Sequence, residues 1–280
     1  VGVAGTTETG HIDPLNELAD VAEEVGAFFH VDAAWGGATL LSKNHRHLLA
    51  GIERADSVTI DAHKQMYVPM GAGMVLFKDP SMVRAIEHHA EYIIRHGSKD
   101  LGAHTLEGSR PGMAMLIYSA LHVMGRRGFE LLIDQSIARA QMFASLIAEQ
   151  DDFEVITEPE LCILTYRFVP TRVKQLIQDA TPEQVRRITP HLNALTRFIQ
   201  KRQRETGRSF VSRTKLTPSQ YYREPTVVFR VVLANPLTTK EMLVEVLQEQ
   251  REIAAQAMSL RGALHTELRE LGLLRDAALR

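Results

Sequence analysis

Before residue 32 the chain has already run through a strand, a helix and a second strand, and that order commits it to a parallel sheet. Val1-Gly2-Val3-Ala4-Gly5 reads as a buried strand. Asp13-Pro14 then opens a helix, with Asp as N-cap and Pro at the first helical position. Leu15, Leu18, Ala19, Ala22 and Val25 recur at helical spacing, and Gly26 ends the run. Residues 28–32 are the second strand. Two strands joined through a helix pair in parallel. Residues 57–60 and 73–77 read as two further strands, residues 45–55 as a short helix and residues 81–95 as a longer one. A loop follows over 96–111, carrying Gly97, Ser98, Asp100, Gly102 and Gly108-Ser109-Arg110-Pro111. The long helical region after it is interrupted near Gly125-Arg126-Arg127-Gly128, since glycine weakens a helix.

From Phe153 the pattern changes. Residues 153–157 and 161–168 look like strands, and a polar, proline-punctuated stretch over 170–190 interrupts them. Residues 191–205 are helical, 209–214 extended and 227–233 a strong strand, with helices after Thr238 closing the chain. The expectation is an α/β fold in two parts. Residues 1–128 belong to a large domain with a mainly parallel sheet, and 129–280 form a linking helix and a small C-terminal α/β domain. A length of 280 residues at 45% hydrophobic content suffices for such a core.

Lys64 lies in Ser57-Val58-Thr59-Ile60-Asp61-Ala62-His63-Lys64, before a turn (Val68-Pro69-Met70-Gly71) and a second apolar strand. A reactive amine between two strands can face a pocket. Upstream, Phe28-Phe29-His30-Val31-Asp32-Ala33-Ala34-Trp35-Gly36-Gly37 is a strand ending in a carboxylate followed by small residues. Singly, such a lysine is ordinarily a solvated charge and such an aspartate a cap or turn former. Together they are the two protein groups that pyridoxal 5'-phosphate (PLP) most needs: an amine for a Schiff base and a carboxylate for the pyridinium nitrogen. Arginine cannot replace the amine, because its guanidinium is delocalised and always charged.

The stretch from His30 to Ala34 and the pair His63-Lys64 resemble the group II amino-acid decarboxylases among the fold-type I PLP enzymes. The resemblance is closest to the bacterial, glutamate-decarboxylase-like branch acting on aspartate. It continues through residues 105–112 and 229–236. It implies a PLP-dependent carboxy-lyase of the cytoplasm that removes the α-carboxylate of an acidic amino acid. Aspartate would give β-alanine for pantothenate biosynthesis; glutamate is the runner-up. A non-catalytic descendant kept as a dimerisation partner is the rival class, and retention of Lys64, Asp32 and Arg230 speaks against it. The resemblance gives Lys64 the Schiff base, Asp32 the ring nitrogen, His63 a place near the phosphate, Thr7 the ring oxygen or nearby carboxylates, and Arg230 the substrate's α-carboxylate. A guanidinium fork matches a carboxylate bidentately, and a charge inside the apolar strand Val227-Val228-Phe229-Arg230-Val231-Val232-Leu233 needs a partner.

Several assignments stay open on sequence. Ala34, two residues beyond Asp32, faces the same side of the strand; its methyl either packs against the ring or serves close packing. Thr6 competes with Thr7. Asp61 would repel phosphate and is expected to bond backbone or His63. Ser109, read as lying just before a helix, either caps it or reaches the phosphate of the neighbouring subunit in a homodimer with a shared site. Neither Tyr92 nor His104 is secure as a proton donor. The chain begins with Val in mid-strand, so residues are expected to precede it. The family's phosphate-holding turn and ring-stacking side chain would lie among them, and the 280 residues alone would not decarboxylate.

The remaining composition excludes other classes. Net charge is −2, with 32 basic against 34 acidic residues, so there is no footprint for nucleic acid. The single cysteine, Cys162, sits in an apolar run and reads as a buried core thiol; it allows no disulfide within the chain, which fits a reducing cytosol. No apolar run reaches membrane-spanning length, no signal peptide is evident, and the 12 histidines match no metal spacing.

Overall fold

The computed structural model describes residues 1–274 apart from 98, 106 and 108. Ser98 and Gly108 of the expected loop therefore lie outside the described residues. The chain forms two compact units. One is Val1–Thr7 with His11–Asp134; the other is Glu8–Gly10 with Gln135–Arg280.

The first unit holds strands β1 (Gly2–Val3), β2 (His30–Asp32), β3 (Ser57–Asp61) and β4 (Gly73–Phe77), adjacent in that order. β1–β2 and β2–β3 are parallel and β3–β4 antiparallel, so the sheet is mainly parallel as expected. The register sets Asp32 opposite Thr59 and Asp61 opposite Gly73. Helix α1 (Leu15–Glu24) buries Leu15 and Ala19 against Phe29, Val31, Leu49 and Ile52. Each fully buried Leu or Ile of this kind contributes about 1.5–3 kcal/mol.

Three local readings need correction. Asp13 is not the N-cap of α1: its carboxylate accepts from Val3 N (2.8 Å), which leaves Pro14 at the cap with no side-chain bond. Residues 45–55 form two short 3-10 turns, Arg46–Leu49 and Ile52–Arg54. They are split by Gly51 in a left-handed conformation (φ 99°), where a side chain would run into the backbone of Asn16. Residues 81–95 are not one helix either. A 3-10 turn over Pro80–Ile86 stops early, because His88 N donates across to Ala103 O (2.9 Å) and Ala90 bridges Ile94. A second such turn, Leu101–His104, lies within the expected loop.

Helix α2 (Met113–Ala148) runs from the first unit into the second and breaks its helical dihedrals at Gly125 (φ 60°, ψ 172°), within the expected interruption. The second unit then supplies β5 (Phe153–Thr157), β6 (Ile163–Phe168), α3 (Thr171–Gln178), α4 (Pro182–Thr206), β7 (Ser212–Leu216) and β8 (Thr226–Val232). Helices α5 (Lys240–Gln256) and α6 (Met258–Glu270) close the chain. The sheet order is β5-β6-β8-β7, antiparallel throughout. Phe143, Tyr166, Phe229, Ile199 and Leu247 share one core; Val173, Ile188, Tyr221 and Val228 share another. The expected break over 170–190 is a pair of helices. Pro170 and Pro182 stand at the cap and first position, where no backbone N–H is missed. Thr181 and Gln184 form a reciprocal capping box, and only Pro190 interrupts the helix ladder.

Candidate active site

β3 ends at Asp61, and backbone bonds fold the next residues into a tight turn. Lys64 N donates to Asp61 O (3.1 Å) and Tyr67 N to Lys64 O (3.2 Å). The turn returns the lysine over the strand end, so that Lys64 Nζ lies 3.0 Å from Asp61 Oδ2. Lys64 thus replaces the partner expected for Asp61, the backbone or His63, whose imidazole Nε2 stands farther off, at 3.8 Å. His63 Nδ1 lies 2.9 Å from Ala72 O. A carbonyl can only accept, so Nδ1 carries the hydrogen and Nε2 is the nitrogen left for a ligand.

Asp32 is exposed at the end of β2, and its Oδ1 accepts from Ala34 N (3.0 Å). That bond turns the chain, so Ala34 does not continue the strand's alternation and the same-face argument for it fails. Ala34 is tied in another way: its carbonyl accepts from Asp61 N (3.2 Å), joining the turn beyond β2 to the end of β3. Asp32 and Lys64 thus emerge at the carboxyl ends of neighbouring parallel strands, the edge where open α/β sheets receive ligands. Thr7 is exposed in the turn after β1, whereas Thr6 Oγ1 accepts from His11 N (3.2 Å) and closes that loop.

Other expected residues lie elsewhere. Ser109 is exposed and does not cap α2, which starts only at Met113; Pro111 and Gly112 intervene, and their carbonyls accept from Met113 N and Met115 N. Tyr92 is exposed in a turn, not on a helix end. His104 ends a 3-10 turn with its Nδ1 buried and without a hydrogen-bond partner.

Arg230 belongs to the second unit. It sits on β8 opposite Thr165, half-buried, with Ser212 Oγ donating to its carbonyl (2.6 Å). Loss of hydration lowers its pKa, and the charge of Glu8 opposes that. Glu8 received no role from the sequence; it belongs to this unit through the short Glu8–Gly10 loop. Arg230 also lines an apolar groove of about 420 Å³ with Phe210, Val232 and Met242. Cys162 is buried, which pushes its thiol up to about 11 and leaves it un-ionised at neutral pH. Among the described residues no group of three or more His, Cys, Asp or Glu side chains could hold a metal ion. No helix among them is long and apolar enough to cross a membrane.

An amine paired to a carboxylate, beside a second carboxylate on the adjoining strand, is the donor set a pyridoxal aldehyde and ring nitrogen require, and these residues fit that group. Residues 1–169 match the pyridoxal-dependent decarboxylase conserved domain. The chain belongs to that family. It is 69% identical over 257 residues to an aspartate 1-decarboxylase of Aliivibrio fischeri, covering 92% of this chain and 47% of that protein. It is 31% identical to the cysteine sulfinic acid decarboxylase of Mus musculus, over 84% of this chain and 46% of the relative. The crystal structure of mouse CSAD in apo form superposes with a TM-score of 0.78 at 28% identity, covering 90% of this chain and 51% of that one. The chain spans about half the length of the curated relatives it matches. Its fold is that of the fold-type I enzymes, and pyridoxal phosphate is the cofactor of the family to which it belongs.

Proposed function

We propose that the chain carries the lysine-bearing part of a PLP-dependent carboxy-lyase that removes the α-carboxylate of an acidic L-amino acid, and that the substrate is L-aspartate, giving β-alanine. The observation that carries this reading is the emergence of Lys64 and Asp32 from adjacent parallel strand ends, tied by the bond between Asp61 N and Ala34 O. Bound PLP supplies an aldehyde that an amine can bond and a ring that takes up the electron pair left when CO2 departs. Lys64 provides the anchoring amine. Asp32, with Oδ1 engaged by Ala34 N, offers Oδ2 to the protonated ring nitrogen as a charge-assisted acceptor. His63 Nε2 and the Thr7 hydroxyl are assigned to the cofactor's oxygens; the Ala34 methyl is assigned to the ring's face on the family resemblance alone, since Ala34 lies in the turn beyond β2. Arg230, whose planar fork suits a carboxylate and whose half-burial strengthens such a bond, takes the substrate's α-carboxylate.

The 69% identity to an aspartate 1-decarboxylase supports aspartate over glutamate. A single methylene is worth only about 1–3 kcal/mol in discrimination, so glutamate remains the natural competitor. We place the enzyme in the cytoplasm as a homodimer, with Ser109 reaching the neighbouring subunit's cofactor phosphate. Exposed Met115, Tyr118 and Val123 on α2 are the apolar surface that supports an interface. We assign residues 1–128 to a cofactor-binding part and 129–280 to a linking helix and a small domain, a division near the boundary of the two compact units after Asp134. The deciding experiment measures CO2 release from a panel of amino acids by the PLP-loaded full-length enzyme. Aspartate should give the highest kcat/KM; preference for glutamate would move the assignment to the runner-up, and no release from any of them would favour the non-catalytic dimerisation partner.

A further inference from the structure

The ion pair between Asp61 and Lys64 is not needed to hold the turn that contains it. Backbone bonds do that: besides the two at Lys64, Val68 N donates to Ala62 O (3.2 Å) and His63 N to Ala72 O (3.1 Å). The carboxylate is nonetheless held in place. Its backbone N–H is bound to Ala34 O, and its cross-strand neighbour is Gly73, where a Cβ would come within 3.1 Å of Asp61 Oδ1. Glycine leaves the room in which the carboxylate sits. The groups facing it are the Lys64 ammonium, with Nζ at 3.0 Å, and the His63 imidazole, with Nε2 at 3.8 Å. Side-chain exposures of 21% for Asp61 and 34% for Lys64 mean that water screens the pair only in part.

We propose that Asp61 is a positioning residue for Lys64. Its carboxylate holds the lysine as an ammonium whenever that amine is not bonded to the cofactor, both before PLP binds and after a substrate amine has displaced the lysine. The proposal rests on Lys64 being the lysine that bonds PLP. Release breaks the C=N bond between the lysine and the cofactor: starting from its protonated form, water returns the aldehyde oxygen and gives the nitrogen two protons, or a substrate ammonium gives up two in taking the lysine's place. Either way the lysine leaves as an ammonium, which has no free electron pair, so the pair with Asp61 favours the released lysine over the bonded one. The carboxylate therefore acts as the resting place that lets the lysine leave. Asparagine has the same shape without the charge, so Asp61→Asn should make the enzyme hold PLP longer. Simple damage to the turn would do the reverse.

One rival gives the same sign: a carboxylate near the cofactor's phosphate would repel it, and its removal would tighten any phosphorylated ligand. Pyridoxine 5'-phosphate separates the two, because it keeps ring and phosphate but has an alcohol where PLP has the aldehyde. The test is the rate of PLP transfer from the loaded full-length enzyme to an excess apo-acceptor, together with the Kd of the apoenzyme for pyridoxine 5'-phosphate. Asp61→Asn should slow PLP release by about threefold, the scale of a partly exposed ion pair, and leave the pyridoxine phosphate Kd unchanged. Gly73→Ala, which crowds the carboxylate without altering its charge, should slow release in the same direction by less, and serves alone if the Asn variant does not fold. Release that is unchanged or faster overturns the proposal. Equal tightening of both ligands also overturns it, by assigning Asp61 to the phosphate. A borohydride-stable adduct that survives in Lys64→Ala would instead sink the assignment of Lys64, whatever Asp61 does.

Discussion

In the unit built on β1–β4, Asp32 and Asp61 end their strands and Lys64 follows in a turn, all in contact with solvent; in the unit built on β5–β8, Arg167 lies within β6 at 0% exposure. Its Nη2 donates to Asn193 Oδ1 (2.9 Å) and Thr189 O (3.4 Å), and its guanidinium lies 5.1 Å from the centre of the Tyr221 ring. Tyr221 OH in turn donates to Glu154. Desolvation lowers the pKa of Arg167, and its Nε and Nη1 have no hydrogen-bond partner. The apolar surfaces differ in the same sense. β6 is buried at every position, whereas β4 exposes Val75 and Leu76. A charge meant to meet a ligand must stay reachable, and Lys64, Asp61 and Asp32 are. A charge sealed in a core cannot react; it fixes packing, at a stability cost if disturbed.

The largest effect should come from the first unit and leave its fold alone. Lys64→Ala removes a side chain that packs little, so circular dichroism and thermal unfolding should match the parent while CO2 release disappears. Unfolding on this substitution would erase the contrast between the units. Asp32→Asn should likewise fold and lower kcat by orders of magnitude, because the amide keeps shape and the Ala34 contact but not the charge on the ring nitrogen. Near-normal turnover at saturating PLP would remove Asp32 from the site.

In the second unit the expected loss is of stability. Arg167→Ala leaves Asn193 Oδ1 and the Tyr221 ring facing a cavity, and removing one member of a buried ionic network costs about 3–5 kcal/mol. Denaturant unfolding measures it. Arg167→Met, which refills the volume, should recover much of the loss. An Ala variant as stable as the parent would mean that Arg167 is no more committed to the core than Lys64.

How much of this was legible in the sequence follows from where each signal resides. The strand–helix–strand opening, the kink at Gly125 and the placement of Asp32 at a strand end and of Lys64 in a turn between two strands are local in sequence and readable from it. The 3-10 turns were not, since His88 N bonds Ala103 O, a partner that no periodicity reveals. The α3–α4 helices were hidden because proline was read as a breaker, although two of the three prolines stand at helix starts. The Asp61–Lys64 pair depends on a turn and on room left by Gly73, which is geometry rather than pattern. Arg167 could have been found. It interrupts Ile163-Leu164-Thr165-Tyr166-Arg167-Phe168 as Arg230 interrupts its own strand, and the same argument about a charge in an apolar run applies.

The smallest predicted effect sharpens the comparison from inside the buried network. Glu154 faces two opposing influences. Burial raises its pKa above the ordinary 4.5, while the Tyr221 hydroxyl, Arg167 and Lys174 pull it down, and burial is the largest. A carboxyl whose pKa is higher folded than unfolded binds its proton more tightly in the folded state. Its contribution to stability is therefore fully present below pH 4.5 and is lost as pH rises through the higher folded value. Glu154→Gln keeps an acceptor for Tyr221 and cannot titrate. The stability of the parent relative to this variant should then fall as pH is raised from 4.5, and level off once the folded-state carboxyl has ionised. Urea unfolding of both proteins across that range gives the slope. A difference that rises with pH would mean that Arg167 outweighs burial, and that the network acts as an ion pair of the kind seen at Lys64, only with the water removed.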